Sequence, residues 1–200
     1  FLETIKKVLN SSVQDVYIYT LMNLKGTPLA SEDMSKKYEH VIRYRIVPRQ
    51  FSTINEQKIF DTEEVIVGTK DMPYEDYLEL RGLCFTISSF FGSTELIPLK
   101  KLLFEFNVDI AKWIFNIHSK LSDYPDLYKN YESFLKETKE ELFETREELV
   151  EFFNREKNYN DLVEGKKGDN LLRKYKCMLL SKYYQSYLNI AILEARKLVS

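Results

Sequence analysis

The sequence predicts an α+β protein that is mostly α-helical. Runs of β-type apolar residues occur within the first 70 residues, and apolar residues recur at helical spacing after Pro73. In addition, a helix pattern over residues 2–10 leads directly into the β-rich run 15–21, which is typical of one repeat of an α/β fold. Because one such repeat cannot bury its own apolar faces, we expect residues 1–30 to be the edge of a larger α/β domain.

The composition indicates a globular protein and limits its partners. Hydrophobic residues make up 44% of the 200 residues, which is enough to build a core. The formal net charge of -2 gives no basic field for nucleic acid or acidic lipid. No apolar run reaches the ~20 residues that a membrane span needs. Cys84 and Cys177 have apolar neighbours, so we expect buried, reduced thiols and a cytoplasmic location.

The first part of the chain contains one strand and one short helix in this prediction. Residues 15–21 are apolar on both faces, as in strands that are covered on both sides in parallel sheets and barrels. After a loop, Ser31 is expected to cap a short helix from Met34 to Tyr38.

Two further strands are predicted at residues 41–47 and 64–69, and Pro48 is expected either to end the first of them or to lie at an edge. They can pair antiparallel across a connection in which residues 51–59 are expected to be irregular.

The rest of the chain is predicted to be helical. The predicted helices cover residues 73–91, 94–107, 109–121, 126–155 and 170–198. The fourth carries a heptad-like stripe that includes Leu142 and Leu149, with acids and bases outside it. The last two would each extend about 45 Å at 1.5 Å per residue. The short break between them favours a long antiparallel helix hairpin.

Patterns typical of catalysis or metal binding are absent from the sequence. His40 and His118 have no ligand at metal-binding spacing. The segment Gly165–Gly168 matches no phosphate loop, and we expect a turn with solvated charges. The acidic residues of the fourth helix are interleaved with bases, so a solvated face is expected there.

One polar cluster leaves two interpretations open. Strand alternation sends Arg43 and Arg45 to the same face and Tyr44 to the other. Two arginines on one face can clamp a carboxylate or a phosphate. They can also cover an exposed sheet edge against strand addition.

Six stretches carry a resemblance to a known family. Three of them lie at residues 1–4 (FLET), 15–21 (DVYIYTL) and 24–30 (LKGTPLA). These three resemble the late barrel region of the cobalamin-dependent type of radical SAM enzyme, which carries an N-terminal cobalamin-binding domain. Those that resemble the segment after the barrel are residues 43–49 (RYRIVPR), 67–77 (VGTKDMPYEDY) and 80–82 (LRG). The family's Cys-x-x-x-Cys-x-x-Cys motif is absent from this chain.

The resemblance implies a division of the chain and a role for it. Residues 1–70 would be a barrel remnant with a strand-containing connector, and residues 71–200 a C-terminal helical domain. The segment would help to close or line the substrate side of the barrel, with no catalysis of its own. The parent enzyme would hold a [4Fe-4S] cluster, S-adenosylmethionine (SAM) and cobalamin, none of them bound by this segment alone.

The partners implied are the upstream barrel and cobalamin-binding domains of the same protein. A small-molecule or lipid-like substrate is implied for the parent enzyme, and homo-oligomers are possible. In such a barrel the carboxyl ends of strands face cofactor and substrate. The residues so implicated are Tyr19, Leu21 and Asn23 for the cofactor, and Arg43, Arg45 and Arg49 for a polar group of the substrate.

A second interpretation belongs to a different functional class. The long helix pair with its aromatic stripe would form a non-catalytic module for protein interaction or oligomerisation.

Overall fold

The computed structural model describes residues 1–11 and 13–199. The chain is α+β and mostly helical, as predicted. It forms two compact units whose segments alternate along the sequence. The first unit comprises Phe1–Ile18, Arg81–Phe134 and Leu172–Ser200, and the second comprises Tyr19–Leu80 and Leu135–Leu171. The predicted division at residue 70 remains a prediction.

The regular elements are named here in chain order. The helices are α1 (Leu2–Leu9), α2 (Glu32–Tyr38), α3 (Tyr74–Thr86), α4 (Ile97–Glu105), α5 (Ile110–Lys120), α6 (Pro125–Glu140), α7 (Arg146–Asn154), α8 (Glu156–Val163), α9 (Leu171–Lys182) and α10 (Tyr184–Val199). A π-helical turn, Ile87–Phe91, extends α3, and the strands are β1 (Val41–Ile54) and β2 (Gln57–Gly68). No helix of the described part combines the length and the apolar character that crossing a membrane requires.

Helix α5 provides the core of the first unit. Its apolar residues recur at helical spacing, so Trp113, Ile114 and Ile117 all lie on buried positions. The Trp113 indole donates a hydrogen bond to the Ala191 carbonyl of α10 at 3.0 Å. Asp109 caps α5 by accepting from the Lys112 amide at 2.9 Å, so the predicted helix start is confirmed.

Helix α1 is anchored on the beginning of α5. Its apolar residues Ile5 and Leu9 are buried, which confirms the helix predicted from residue 2. The Asn10 side chain donates to Asp109 Oδ1 at 2.9 Å and accepts from the Ala111 amide at 3.2 Å. This one amide therefore satisfies groups at the N-terminus of α5, where backbone donors lack helical partners.

The strand predicted over residues 15–21 does not form. Residues 15–20 are described without regular secondary structure, and Tyr17 and Tyr19 are 76% and 85% exposed. Pairing starts only at Leu21, whose carbonyl accepts from the Ile66 amide of β2 at 2.9 Å. Before Leu21, these β-type residues have no neighbouring strand in the described part of the chain with which to form backbone hydrogen bonds. Their side-chain composition alone is not enough to form a strand.

Strands β1 and β2 form an antiparallel hairpin, which confirms the predicted pairing. The segment expected to be irregular is the distal half of this hairpin. Its turn residues Asn55 and Glu56 have φ of 48° and 65°, the left-handed conformations of a two-residue hairpin turn.

Pro48 does not end β1, which was one of the two predicted alternatives, because a bulge accommodates it. The register is irregular between Ile46 and Phe51, and Arg49 has φ of 65°. The Arg49 amide donates to the Gly168 carbonyl at 2.9 Å instead of to the ladder. Proline lacks an amide donor, so a bulge is one of the few places within a strand where it fits.

The prediction of one long helix over residues 126–155 is wrong. Helix α6 ends at Glu140, and Phe143 then exchanges backbone hydrogen bonds with Tyr44 of β1 at 2.9 and 2.8 Å. Thr145 begins α7 by accepting from the Glu148 amide at 3.1 Å. Two interactions therefore override the helical propensity of this stretch. Phe143 pairs with the backbone groups that β1 leaves unpaired, and Thr145 caps the start of a new helix.

The predicted long antiparallel helix hairpin is therefore wrong as well. Residues 170–198 form α9 and α10, which are separated at Tyr183. No helix among residues 1–11 and 13–199 exceeds 16 residues.

Helices α7 and α8, which follow the end of α6, cover one face of the hairpin in the second unit. Their core consists of Ile46, Phe60, Leu149, Phe153, Tyr159 and Leu162. A smaller cluster of Val65, Val67 and Tyr77 packs against Leu142. Leu142 and Leu149 of the predicted stripe thus serve the interior of this unit.

His118 of the first unit leads to a prediction of pH-dependent stability. Its Nδ1 lies 2.8 Å from the Thr86 hydroxyl, and burial lowers the pKa of His118 below its ordinary value. Between the folded pKa and about 6.5, the unfolded chain therefore binds more protons, and stability falls as the pH decreases. We expect His118→Gln to remove this dependence.

Urea unfolding of both proteins across this pH interval provides the measurement. The stability of the wild type relative to His118→Gln should fall as the medium is acidified. An unchanged difference between the two proteins would contradict the assignment.

Candidate functional site

Arg45 lies at the centre of a charged cluster on the β-hairpin of the second unit. Its Nε donates to Glu63 Oε1 at 2.5 Å, and its Nη1 donates to Glu141 Oε1 at 2.8 Å. Glu63 stands opposite Arg45 in the hairpin register, and Glu141 directly follows α6. The hairpin and the end of α6 together position this three-residue cluster.

The cluster is mostly withdrawn from water. The side chains of Arg45, Glu63 and Glu141 are 15%, 10% and 19% exposed. Burial by itself would lower the pKa of Arg45, but the carboxylates of Glu141 and Glu63 raise it above its ordinary value. Arg45 therefore stays charged, and its role in this structure is to hold two carboxylates at fixed positions.

The other two predicted arginines also bind carboxylates of this chain. Arg43 Nη2 lies 3.5 Å from Glu144 Oε1, and its side chain is about one-third exposed. Arg49 Nη2 lies 2.9 Å from Asp169 Oδ2, and this hydrogen bond raises the pKa of Arg49. Arg43 and Arg45 share a strand face and reach the same loop, whereas Arg49 binds elsewhere. Their role in binding a substrate remains a prediction.

The predicted cofactor contacts lie on the segment that joins β2. Tyr19 and Leu21 are 85% and 47% exposed. The Asn23 amide group donates to Glu64 Oε2 at 2.7 Å, and its backbone amide donates to the Glu64 carbonyl at 2.9 Å. Asn23 Oδ1 is buried and accepts no hydrogen bond from the described residues. The structure thus brings Asn23 to the hairpin and leaves Tyr19 accessible.

The second unit contains a cavity of about 130 Å³. It is lined by acids at the end of α6, by lysines of the glycine turn and by apolar residues. These are Glu137, Glu140, Glu141, Lys166, Lys167, Gly168, Ile46, Phe152, Phe153 and Leu171. Sequence reasoning missed this cavity because its walls come from stretches that are far apart in the chain, and no local motif marks them.

The turn that carries the lysines is tightly ordered. The amides of Lys166 and Lys167 both donate to the Asp161 carbonyl, at 2.8 and 3.0 Å. Gly168 has φ of 66°, and a Cβ at this position would lie 2.6 Å from Leu162 Cδ2. Only glycine fits both requirements, so the turn presents Lys167 to the cavity at a fixed place.

The two cysteines differ in their environments. Cys84 is buried, as predicted, and burial raises the pKa of its thiol to about 11, which disfavours the reactive thiolate. Cys177 is exposed, so the prediction of a buried thiol is wrong there, because it falls on the outer face of α9. Within the described residues, no group of three or more His, Cys, Asp and Glu could hold a metal ion.

No protein-family model matches the chain, and no match was found among curated proteins.

Removing Arg45 tests the charged cluster. Arg45→Met leaves Glu63 and Glu141 without their shared cation, and we expect a loss of about 3–5 kcal/mol in the free energy of unfolding. Arg49→Met removes an exposed pair and should change stability far less. Chemical denaturation measures both.

A triple variant supplies the control. Arg45→Met combined with Glu63→Gln and Glu141→Gln removes all three charges, and it should regain much of the lost stability. Equal losses in the single and triple variants would show that packing of the Arg45 stem, and not charge, is responsible.

Proposed function

We propose that this chain is the C-terminal segment of a cobalamin-dependent radical SAM enzyme and helps to close or line the substrate side of its barrel. The observation that supports the proposal is that parts of three resembling stretches meet at the β-hairpin of the second unit, whereas residues 1–4 and 15–18 belong to the first unit. Residues 21–23 pair with β2, and the stretches 43–49 and 67–77 belong to or directly follow the same hairpin. The end of the stretch 15–21, the stretch 43–49 and the start of the stretch 67–77 are thus connected through one hairpin.

In this proposal the cofactors belong to another part of the parent protein. The described residues offer no set of ligands for an iron–sulfur cluster, and Cys84 and Cys177 are distant in sequence. Enzymes of this type cleave SAM reductively and use the resulting radical to abstract hydrogen from a substrate. A location in the cytoplasm is part of the same proposal.

The residues of this chain differ in what they can contribute. Tyr19 is the most accessible of the predicted cofactor contacts and presents both a ring and a hydroxyl. Arg43 and Arg49 keep exposed guanidinium surface in their ion pairs and can bind an anionic substrate group. Arg45 is enclosed by Glu63 and Glu141, so it acts through positioning.

The first test concerns the gene. The reading frame that encodes this chain should encode a Cys-x-x-x-Cys-x-x-Cys motif before Phe1. A continuous reading frame without that motif would overturn the proposal.

The second test uses the protein that this reading frame encodes. Formation of 5′-deoxyadenosine from SAM under reducing, anaerobic conditions is measured for the wild type and for Tyr19→Ala. We expect the variant to be slower by about tenfold, the effect of one lost transition-state contact. Tyr17→Ala, which removes a similarly exposed tyrosine two residues earlier, is the matched control. Equal rates for wild type and Tyr19→Ala would refute a role of Tyr19 at the cofactor.

A non-catalytic oligomerisation module is the second proposal, and one observation favours it. In the first unit, Ile97, Leu102 and Phe106 in and after α4 are 41%, 45% and 57% exposed. Leu102 and Phe106 are four residues apart and therefore lie on the same side of this segment, and contiguous exposed apolar groups are typical of contact surfaces.

Sedimentation velocity over a range of concentrations tests this second proposal. We expect the wild type to dimerise and Phe106→Asp to remain monomeric, because a buried aspartate would lose its hydration without a partner. Val199→Asp, at another exposed apolar position of the first unit, should still dimerise. A wild type that is monomeric at every concentration excludes oligomerisation.

A further inference from the structure

The cavity of the second unit restricts its ligand by size. Its volume is about 130 Å³. Pockets for drug-sized ligands are larger, about 300–1,000 Å³. A ligand of this cavity is therefore a small metabolite and not a cofactor with several rings.

The walls of the cavity restrict the ligand by charge. Acids at the end of α6, among them Glu140, line the cavity together with Lys166 and Lys167. Side chains such as Phe152 and Leu171 add apolar surface to the same lining. A ligand of a single sign would meet side chains of like charge, and an uncharged apolar ligand would remove the hydration of the charged side chains without replacing it. A dipolar ligand with an apolar part satisfies the acids, the lysines and the apolar surface.

The existing ion pairs indicate which charges face the ligand. Glu141 is held by Arg45 at 2.8 Å, and Lys166 is held by Glu164 at 2.5 Å. Glu140, by contrast, has an ion pair with Lys136 at 3.8 Å, in which both side chains are well exposed. Exposed pairs of this kind are weak, so a ligand can replace Lys136 at little cost.

Lys167 and the end of α6 complete the arrangement. Lys167 Nζ lies 5.7 Å from the centre of the Phe152 ring, on a turn that Gly168 holds in place. Glu140 is the last residue of α6, where the helix dipole favours a positive charge. The cationic end of a dipolar ligand thus belongs at Glu140 and the anionic end at Lys167.

We infer that this cavity binds a small zwitterion of the α-amino acid type with an apolar side chain. The ammonium group binds at Glu140, the carboxylate binds at Lys167, and the side chain packs on Phe152 and Leu171. This inference does not depend on the proposed function, because it uses only the residues of the cavity.

Calorimetric titration of the whole chain tests the ligand class with three related probes. L-Leucine carries both charges, isopentylamine carries only the ammonium group, and isocaproate carries only the carboxylate. We expect leucine to bind with a dissociation constant of about 1 mM, as a ligand of so few atoms allows. Each half-charged probe should bind about tenfold more weakly, since each lacks one charge-assisted hydrogen bond. No saturable binding of leucine, or equal binding of either half-charged probe, overturns the inference.

Variants assign the two ends of the ligand. Glu140→Gln should weaken leucine and isopentylamine about tenfold and leave isocaproate unchanged, and Lys167→Gln should weaken leucine and isocaproate and leave isopentylamine unchanged. Glu148→Gln and Lys139→Gln remove exposed charges of the same unit outside the cavity lining and should change nothing. A shift of the Gly168 amide resonance on adding leucine locates the binding. Leucine binding that ignores both cavity variants, or that leaves Gly168 unshifted, places the site elsewhere and refutes the inference.

Discussion

The backbone groups along the two edges of the β-hairpin are the constraint on which the second unit depends. A two-stranded ribbon leaves one row of amides and carbonyls unpaired on each edge, and such groups need partners when other chain segments cover them. On the β2 edge, Leu21 and Asn23 supply partners. On the β1 edge, Phe143 pairs with Tyr44, and the Gly168 carbonyl accepts from Arg49. These pairings decide where the helices stop and where the connecting segments run.

The Arg45 cluster follows from this arrangement. Because Phe143 is held on β1, Glu141 at the end of α6 comes within 2.8 Å of Arg45 on the same strand. Because Gly168 is held at the bulge, the lysines beside it line the same cavity as the acids at the end of α6. Backbone pairing thus brings together the charges of two distant stretches. Their desolvation is tolerable since Arg45 satisfies both Glu63 and Glu141.

The accuracy of sequence reasoning differed between local and long-range features. Helix starts were predictable where a capping residue acts on amides three residues ahead, as Ser31 and Asp109 do. The pairing of β1 with β2 was predictable because two β-rich runs, 41–47 and 64–69, follow one another in the sequence. The run 15–21 failed because a strand exists only where a neighbour pairs with it. The helix 126–155 failed because Phe143 found a strand edge that no pattern within the helix reveals. Of the candidate site, the arginines were visible in the sequence, but their carboxylate partners Glu141, Glu144 and Asp169 were not.

The sequence by itself determined the class of the fold, the capped helix starts, the hairpin and the shared face of Arg43 and Arg45. These features depend on the periodicity of apolar residues and on contacts between residues close together in sequence. Both can be read directly from the order of the amino acids. Only the tertiary structure decided the breaks of the long helices, the ion pairs of the arginines and the cavity that Glu140 and Lys167 line. Each of these joins groups many residues apart, and their encounter depends on which backbone edges are left unpaired once the hairpin has formed.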